Sequence, residues 1–404
     1  MKGIYLDYAA ATPVDRRVVE AMLPYFTKDF GNPGSLHSYG QRASAAVFSA
    51  RQTIASALGA QYPEIIFTGS ATEANNLVLR GIMRRFPKPR IIISAIEHES
   101  ILNAAQDLVQ NLVDPVIIPV SKEGIIDLKK LKAALNEHTA LVSVMYANNE
   151  TGVIQPIAEI AKIVKEYRNS NIETRKKIPF KIQDSSFEFP LFHTDAVQAF
   201  QYLDCTVDSL GVDLLTISSQ KIYGPKGVGA LYVRSNPPAG GIGVNREYPI
   251  DAAISGGGQE GGLRSGTENV PGIVGFDKAV ELVETMREKE SQRVCELRDY
   301  AWQGIKKIFP NAQTNGSLKD RLPNNLNFYI PKMLGEKMLV ALDLKGIAIS
   351  SGSACSARSI DPSHVLLAMG FKNDRAKNSL RLTLGRPTTK IEIDAFLKTL
   401  TGVL

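Results

Sequence analysis

The sequence predicts an α/β fold: a mostly parallel sheet flanked by helices, followed by a smaller α+β part. Three observations predict it. Short apolar runs alternate with helical segments between residues 41 and 233. Those runs are continuous rather than alternating with polar residues, as strands buried on both faces require. After about residue 260 the texture changes to one long helix and then mixed strands and helices. Alternation followed by mixture is the pattern of a wound parallel core with a segregated appendage.

The elements follow in order. Residues 41–58, QRASAAVFSARQTIASAL, carry apolar positions at helical spacing. EIIFT (64–68) reads as a strand and TEANNLVLRGIMRRF as the helix after it. RIIIS (90–94) and SILNAAQDLVQNL repeat the pair, as do VIIPV (116–120) and DLKKLKAALN, with Asp127 as its N-cap. ALVSVMY (140–146) precedes PIAEIAKIVKEY, which has Pro156 at its first turn. PLFHT (190–194), DLLTIS (213–218) and GALYV (229–233) are further strands. A long helix fits 274–309, where Val283, Met286, Val294, Leu297, Ala301, Ile305 and Ile308 recur at threes and fours. NNLNFYI (324–330), a helix near 335–344, IAIS (347–350) and LRLTL (380–384) complete the chain. Residues 168–189, RNSNIETRKKIPFKIQDSSFEF, are far longer than the usual connection of about 2–6 residues and read as an insertion.

Composition narrows the function classes. The 404 residues are 44% hydrophobic and 22% charged, the balance of a soluble globular chain. The net charge of +6 is spread out, with no basic stripe interleaved with aromatics, so no direct nucleic-acid binding is expected. No apolar run is long enough for a membrane span, and the start MKGIYLDYAAATP has no signal-peptide core. Three cysteines, Cys205, Cys295 and Cys355, exclude a disulfide scaffold, and their wide spacing excludes CxxC pairs. A cytoplasmic, reducing location is expected.

In open α/β sheets ligands bind beyond the carboxyl ends of the strands. Five such ends carry small or polar residues: Gly69-Ser70-Ala71-Thr72-Glu73, Glu97-His98-Glu99, Asn148-Asn149-Glu150-Thr151-Gly152, Asp195 to Gln198, and Ser219-Gln220-Lys221. Any one would pass as a helix cap or turn. Five together point to one ligand site. The start of the Ala71-Thr72 helix offers backbone N–H groups to a phosphate. Asp195 suits a protonated ring nitrogen, and Lys221 suits a Schiff base if its amine is desolvated. His98 suits ring stacking or proton transfer. Together they match the protein side of a pyridoxal 5'-phosphate site.

The sequence resembles the cysteine desulfurases of the NifS/IscS group, which are class V aminotransferase-like, fold-type I pyridoxal phosphate enzymes. The resemblance is collinear and covers nearly the whole chain. It rests on YLDYAAATPVD (5–15), GNPGSLHSYGQ (31–41), TGSATEANN (68–76), EHES (97–100), NNETGVIQP (148–156), HTDAVQ (193–198), SSQKIYGPKGVGALYV (218–233), GGGQEGGLRSGTENV (256–270), SSGSACSA (350–357) and LRLTLGR (380–386). It implies a large cofactor-binding domain (16–260) and a small domain (1–15 with 261–404) that carries the cysteine loop. It implies that Lys221 holds the cofactor and moves the Cα proton, that Asp195 pairs with the ring nitrogen, and that Gln198 and Asn149 lie near the phenolic oxygen. Ala71, Thr72 and Ser218 would hold the phosphate, Thr267 would reach the phosphate of a second subunit in a homodimer, and His98 would stack on the ring. Arg381, with Asn149 beside it, would bind the substrate carboxylate. Arg386 is expected to face the other way, five residues along a strand. Where the family has His before the lysine, this chain has Gln220, which can donate a hydrogen bond to phosphate but adds no charge.

The implied activity converts L-cysteine to L-alanine and leaves the sulfur on Cys355 as a persulfide. The sulfur would pass to an acceptor protein, such as an iron–sulfur scaffold, or to tRNA thiolation. Cys355 sits among Ser, Gly and Ala, which leave a thiol accessible, and its thiolate is the nucleophilic form. Cys295 and Cys205 are expected to be packing residues. Four other classes compete. An aminotransferase or lyase of the same fold would need Lys221 and Asp195 but not Cys355. A dehydrogenase is disfavoured because GGGQEG (256–261) lacks its βαβ context, and a zinc enzyme because His98-Glu99 has no second His four residues after His98. A catalytically weakened scaffold is left open by Gln220.

Overall fold

The computed structural model describes residues 3–86, 88–111, 113–170, 187–236, 246–351 and 362–402. Cys355 and most of the segment 168–189 lie outside them. The strands are β1 (Ile4–Tyr5), β2 (Ile65–Thr68), β3 (Arg90–Ser94), β4 (Asp114–Ile118), β5 (Thr139–Ser143), β6 (Leu191–Asp195), β7 (Leu214–Ser218) and β8 (Gly229–Val233). They continue with β9 (Gln313–Thr314), β10 (Asn325–Tyr329), β11 (Ile347–Ala348), β12 (Ser350–Ser351) and β13 (Ser379–Thr383).

β2 to β8 form a seven-stranded sheet in the order β2-β8-β7-β6-β5-β3-β4. All neighbours are parallel except β8, which runs antiparallel between β2 and β7. The mostly parallel sheet expected from the sequence is therefore present. Period-2 alternation sends Phe67, Ile92, Val142, Phe192, Leu215 and Ala230 into one apolar layer. Ile66, Ile91, Ile93, Leu141, Leu191, Leu214 and Leu231 enter the layer on the opposite face. This double burial is why the strands read as unbroken apolar runs.

The helices that cover the sheet start where local chemistry starts them. Asp127 accepts from the amides of Lys129 and Lys130 and caps Leu128–Ala134, as expected. The long helix runs Val270–Ile308, four residues earlier than its apolar stripe suggests, because Asn269 caps Gly272 N and Pro271 occupies the first turn. Several helices escape the sequence reading, including two with capped starts. Arg16–Met22 is capped by Asp15, and Lys390–Thr401 opens with a Thr389–Glu392 capping box that was legible as T-x-x-E.

Beyond the seven-stranded sheet, β12-β13-β10-β9 form an antiparallel sheet, and β1 pairs in parallel with β11. The run IAIS is not one strand. Ile347–Ala348 pairs with β1 while Ser350–Ser351 pairs with β13, so the chain changes sheets at Ile349. The resemblance places the N-terminal segment, residues 1–15, with the smaller of the two parts. It binds both, through β11 and Thr383 on one side and through Gln220 and Tyr223 on the other.

Exposed ion pairs such as Arg16–Glu20 are worth about 0–1 kcal/mol. Arg51–Glu260 is different. The Glu260 carboxylate is buried and accepts two bonds from Arg51 and one from Phe67 N, tying the helix Ser38–Leu58 to β2. Arg51→Ala leaves that carboxylate uncompensated, and we expect a loss of about 3–5 kcal/mol in denaturant unfolding; Arg16→Ala should cost less than about 1 kcal/mol. Equal losses for the two variants would contradict this.

Candidate active site

Because β2, β3, β5, β6 and β7 point the same way, their carboxyl ends share one edge of the sheet. β8 is reversed and brings its first residue, Gly229, to that edge, opposite both Thr68 and Ser218. A Cβ on Gly229 would lie 2.9 Å from Ser70 C and 3.0 Å from Ala71 N, so glycine permits this close approach. At the edge lies a cavity of about 230 Å³. Its lining includes Ala71, Thr72, His98, Asn149, Asp195, Gln198, Ser218, Gln220, Lys221 and Arg381, ten of the residues singled out from sequence.

Ser70 caps the helix Ala71–Arg85 by accepting from Glu73 N at 3.1 Å. The Ala71 and Thr72 amides belong to the first turn, which has no intrahelical acceptors for them. Ala71, Thr72 and Ser218 line the cavity beside this helix start, a chemistry that suits an anion.

Asp195 ends β6 and is 6% exposed. One carboxylate oxygen accepts from Val197 N at 3.0 Å and the other from Asn75 Nδ2 at 2.8 Å. Lys221 lies on a single 3-10 turn after β7 and donates through Nζ to Ala9 O at 2.8 Å and to Ala10 O. Gln198 Nε2 reaches the same Ala9 carbonyl at 3.1 Å. The Gln220 carbonyl accepts from the Thr12 hydroxyl at 2.9 Å, which leaves its side chain to the cavity wall.

Arg381 sits on β13 and is 1% exposed. It donates to Asn149 O at 2.9 Å and to Asp7 Oδ1 at 2.7 Å, while Nε has no partner among the described residues. Arg386 is outside the cavity, but not for the reason the alternation argument supplied. β13 stops at Thr383, so strand parity does not reach it. Its guanidinium instead stacks on Tyr223 at 4.3 Å and faces Asp15.

Thr267 does not line this cavity. It is exposed, at a second small cavity with Gly69, Gly227 and Arg264. Cys205 is fully buried, and burial pushes its thiol up, as expected of packing. Cys295 is only half-buried, with Sγ 3.2 Å from Arg298 Nη2; it lies at the margin of the apolar stripe rather than inside it.

The sequence reading missed several participants. Ala9 and Ala10 supply carbonyls, Asp7 pairs with Arg381, Ser100 and Met145 join the lining, and Asn75 stands behind it. Alanines carry no chemical signal, and Asp7 is far from Arg381 in sequence. Glu97 was noted only as a neighbour of His98. It is fully buried, accepting from Ser94 Oγ and from Met145 N at 2.9 Å, and burial pushes its carboxyl up to about 8. Burial likewise raises Glu150 to about 7, against the pull of Ser363 and Arg381.

The class-V aminotransferase family model matches residues 4–172 and 189–396. Cysteine desulfurase IscS of Dictyoglomus turgidum is 42% identical over 405 residues, covering 100% of this chain and 95% of the relative. The chain belongs to the cysteine desulfurase family of class-V aminotransferases. IscS 1 of Archaeoglobus fulgidus is 44% identical over 99% of this chain and 96% of its own. A solved NifS-like protein superposes with a TM-score of 0.85 at 34% identity, over 99% of each chain. SspA in complex with cysteine gives 0.78 at 34% identity, over 94% of this chain and 98% of its own. The family match breaks at 173–188, inside the segment that its length marks as an insertion. Among the described residues no helix is long and apolar enough to cross a membrane.

Class-V aminotransferases use pyridoxal 5'-phosphate, and the residues present fit it. A helix start with hydroxyls suits the phosphate, a buried carboxylate the protonated ring nitrogen, and a lysine amine the carbonyl carbon. The nearly buried Arg381, with an unpartnered Nε, suits a substrate carboxylate.

The buried Glu97 makes a pH prediction. Its folded pKa of about 8 exceeds the ordinary 4.5. The protonated form therefore favours the fold: its stabilisation is complete below about 4.5 and is lost as pH rises through about 8. Glu97→Gln, neutral throughout, removes that dependence. Calorimetric melting from about pH 5 to about pH 9 should show wild type losing Tm relative to Glu97→Gln; parallel curves would count against it.

Proposed function

We propose that this chain is a pyridoxal 5'-phosphate-dependent cysteine desulfurase that converts L-cysteine to L-alanine and carries the sulfur on Cys355. The observation that carries the reading is the convergence of Lys221, Asp195, the Ala71-Thr72 helix start and Arg381 on one cavity. The bound cofactor would supply an electron sink for the carbanion at the substrate Cα.

The chain's own residues do the rest. Ala71, Thr72 and Ser218 would hold the phosphate, with Gln220 adding a neutral donor. Asp195 would keep a proton on the ring nitrogen, and Gln198 and Asn149 would lie near the phenolic oxygen. Lys221 would hold the cofactor through Nζ, and its amine is the base placed to take the substrate Cα proton. The Ala9 and Ala10 carbonyls give that amine a resting place within reach of the site. Arg381 orients the substrate by its carboxylate. His98 would stack on the ring and serve proton transfer.

The Cys355 thiolate attacks the substrate sulfur. An S–S bond forms as the substrate Cβ–S bond breaks, and the bonding pair stays on the carbon skeleton that leaves as alanine after protonation. Cysteine and the Cys355 thiol thus yield alanine and the Cys355 persulfide, with no outside oxidant.

The chain acts as a homodimer in which Thr267 completes the partner's phosphate site. Residues 16–260 form its large domain, and residues 1–15 with 261–404 its small one. The persulfide passes to an acceptor protein in a reducing, cytoplasmic compartment, feeding iron–sulfur assembly or tRNA thiolation.

Cysteine-dependent alanine and sulfide release tests the reading. Cys355→Ala should lower it by at least about a thousandfold and abolish the sulfur adduct on that residue in mass spectrometry. Lys221→Ala should lose borohydride-fixable cofactor. Full alanine production by Cys355→Ala would sink the desulfurase mechanism and favour a lyase.

A further inference from the structure

Along the cavity wall and behind it a chain of hydrogen bonds joins two residues that sequence treats as separate. Asn75 is one turn into the helix Ala71–Arg85 and is fully buried. Its Nδ2 donates to Asp195 Oδ2 at 2.8 Å and to Ser100 Oγ at 2.9 Å. Ser100 Oγ lies 2.9 Å from His98 Nδ1, and Ser100 N donates to that same nitrogen at 3.0 Å, capping the helix Glu99–Leu108.

The polarity of this chain follows from its ends. Flipping the Asn75 amide would set its oxygen against a carboxylate oxygen at 2.8 Å, which is repulsive, so Nδ2 must face Asp195. The same flip would satisfy nothing else: Asn75 Oδ1 is buried without a partner among the described residues. With both Nδ2 hydrogens donated, Ser100 Oγ accepts from Asn75 and its own hydrogen is free to point at His98 Nδ1. That nitrogen also receives a backbone N–H, which has no alternative polarity. Nδ1 is therefore an acceptor, and the proton of the neutral imidazole resides on Nε2.

We propose that Asn75 and Ser100 are positioning residues that bind the Asp195 carboxylate and the His98 ring into one unit and hold the His98 proton on Nε2. The significance for catalysis rests on the desulfurase reading above; the tautomer does not. Asn75 stands behind the lining, and Ser100, which borders the cavity, engages its hydroxyl with Asn75 and His98. Both therefore act through Asp195 and His98, so a small displacement of either group is the expected consequence of losing Asn75 or Ser100.

Two variants test this. Asn75→Asp keeps the shape but replaces the amine with an acceptor that draws the Ser100 O–H away from His98. Ser100→Ala deletes the O–H and leaves the backbone cap. Long-range ¹H–¹⁵N correlation on the full chain, which has five histidines, should show His98 as the Nε2–H tautomer, assigned through His98→Gln. In both variants the Nδ1 resonance should move toward that of an unbonded imidazole nitrogen. In the cofactor-loaded enzyme, kcat should fall about 10–100-fold with KM within about twofold. The double variant should be no worse than the poorer single, because both break the same link.

An Nδ1–H tautomer in wild type, an unmoved Nδ1 resonance in Ser100→Ala, or additive losses in the double variant would each overturn the proposal. If Asn75→Asp does not fold, the Ser100→Ala resonance and kcat decide alone. Wild type that makes no alanine from cysteine would overturn the functional reading, while the tautomer would still be tested.

Discussion

Strand direction is the constraint on which the site depends. Parallel neighbours must all end on the same edge, so β2, β3, β5, β6 and β7 deliver their following residues to one place. The single reversal, β8, is what allows the phosphate side and the lysine side to meet. It lies between β2 and β7, so Thr68 and Ser218 both pair with Gly229. The absence of a side chain there lets the start of the Ala71–Arg85 helix press against the strand. A larger residue would push apart the two elements that carry Thr72 and Lys221.

The second requirement is polar satisfaction in a buried site. Arg381 is almost inaccessible, and a buried guanidinium without partners is costly by several kcal/mol. Asp7 and the Asn149 carbonyl compensate it, and both come from outside its own sheet. The N-terminal segment also supplies the acceptors for Lys221 and a donor to Gln220. A stretch of eight residues, from Tyr5 to Thr12, thereby anchors groups from the seven-stranded sheet and from β13 at once. Its own two-residue strand is far too short to be stable alone; it is ordered by what it holds.

Legibility varied with the kind of signal. RIIIS and GALYV coincide with β3 and β8 because two apolar layers demand unbroken apolar runs. Lys221 and Asp195 stand out because they follow predicted strands, at the edge where open α/β sheets bind ligands; Arg381 enters through the family resemblance. Ala9, Ala10 and Asn75 do not stand out. An alanine contributes through its backbone carbonyl, which every residue has. Asn75 resembles any polar helix residue until its burial beside Asp195 is known. Arg386 shows the opposite failure: a parity rule was applied past the end of the strand that justified it.

The sequence by itself determined the family, the fold class, the order of the strands' chemistry and most of the cavity's side chains, because local pattern and residue type carry that information. Tertiary structure alone decided which distant groups pair: Asp7 with Arg381, Ala9 with Lys221, and Asn75 with both Asp195 and Ser100. Such pairs span up to 374 residues of chain. No local periodicity records them, since each is set by strand direction and by the need of buried polar groups for a partner.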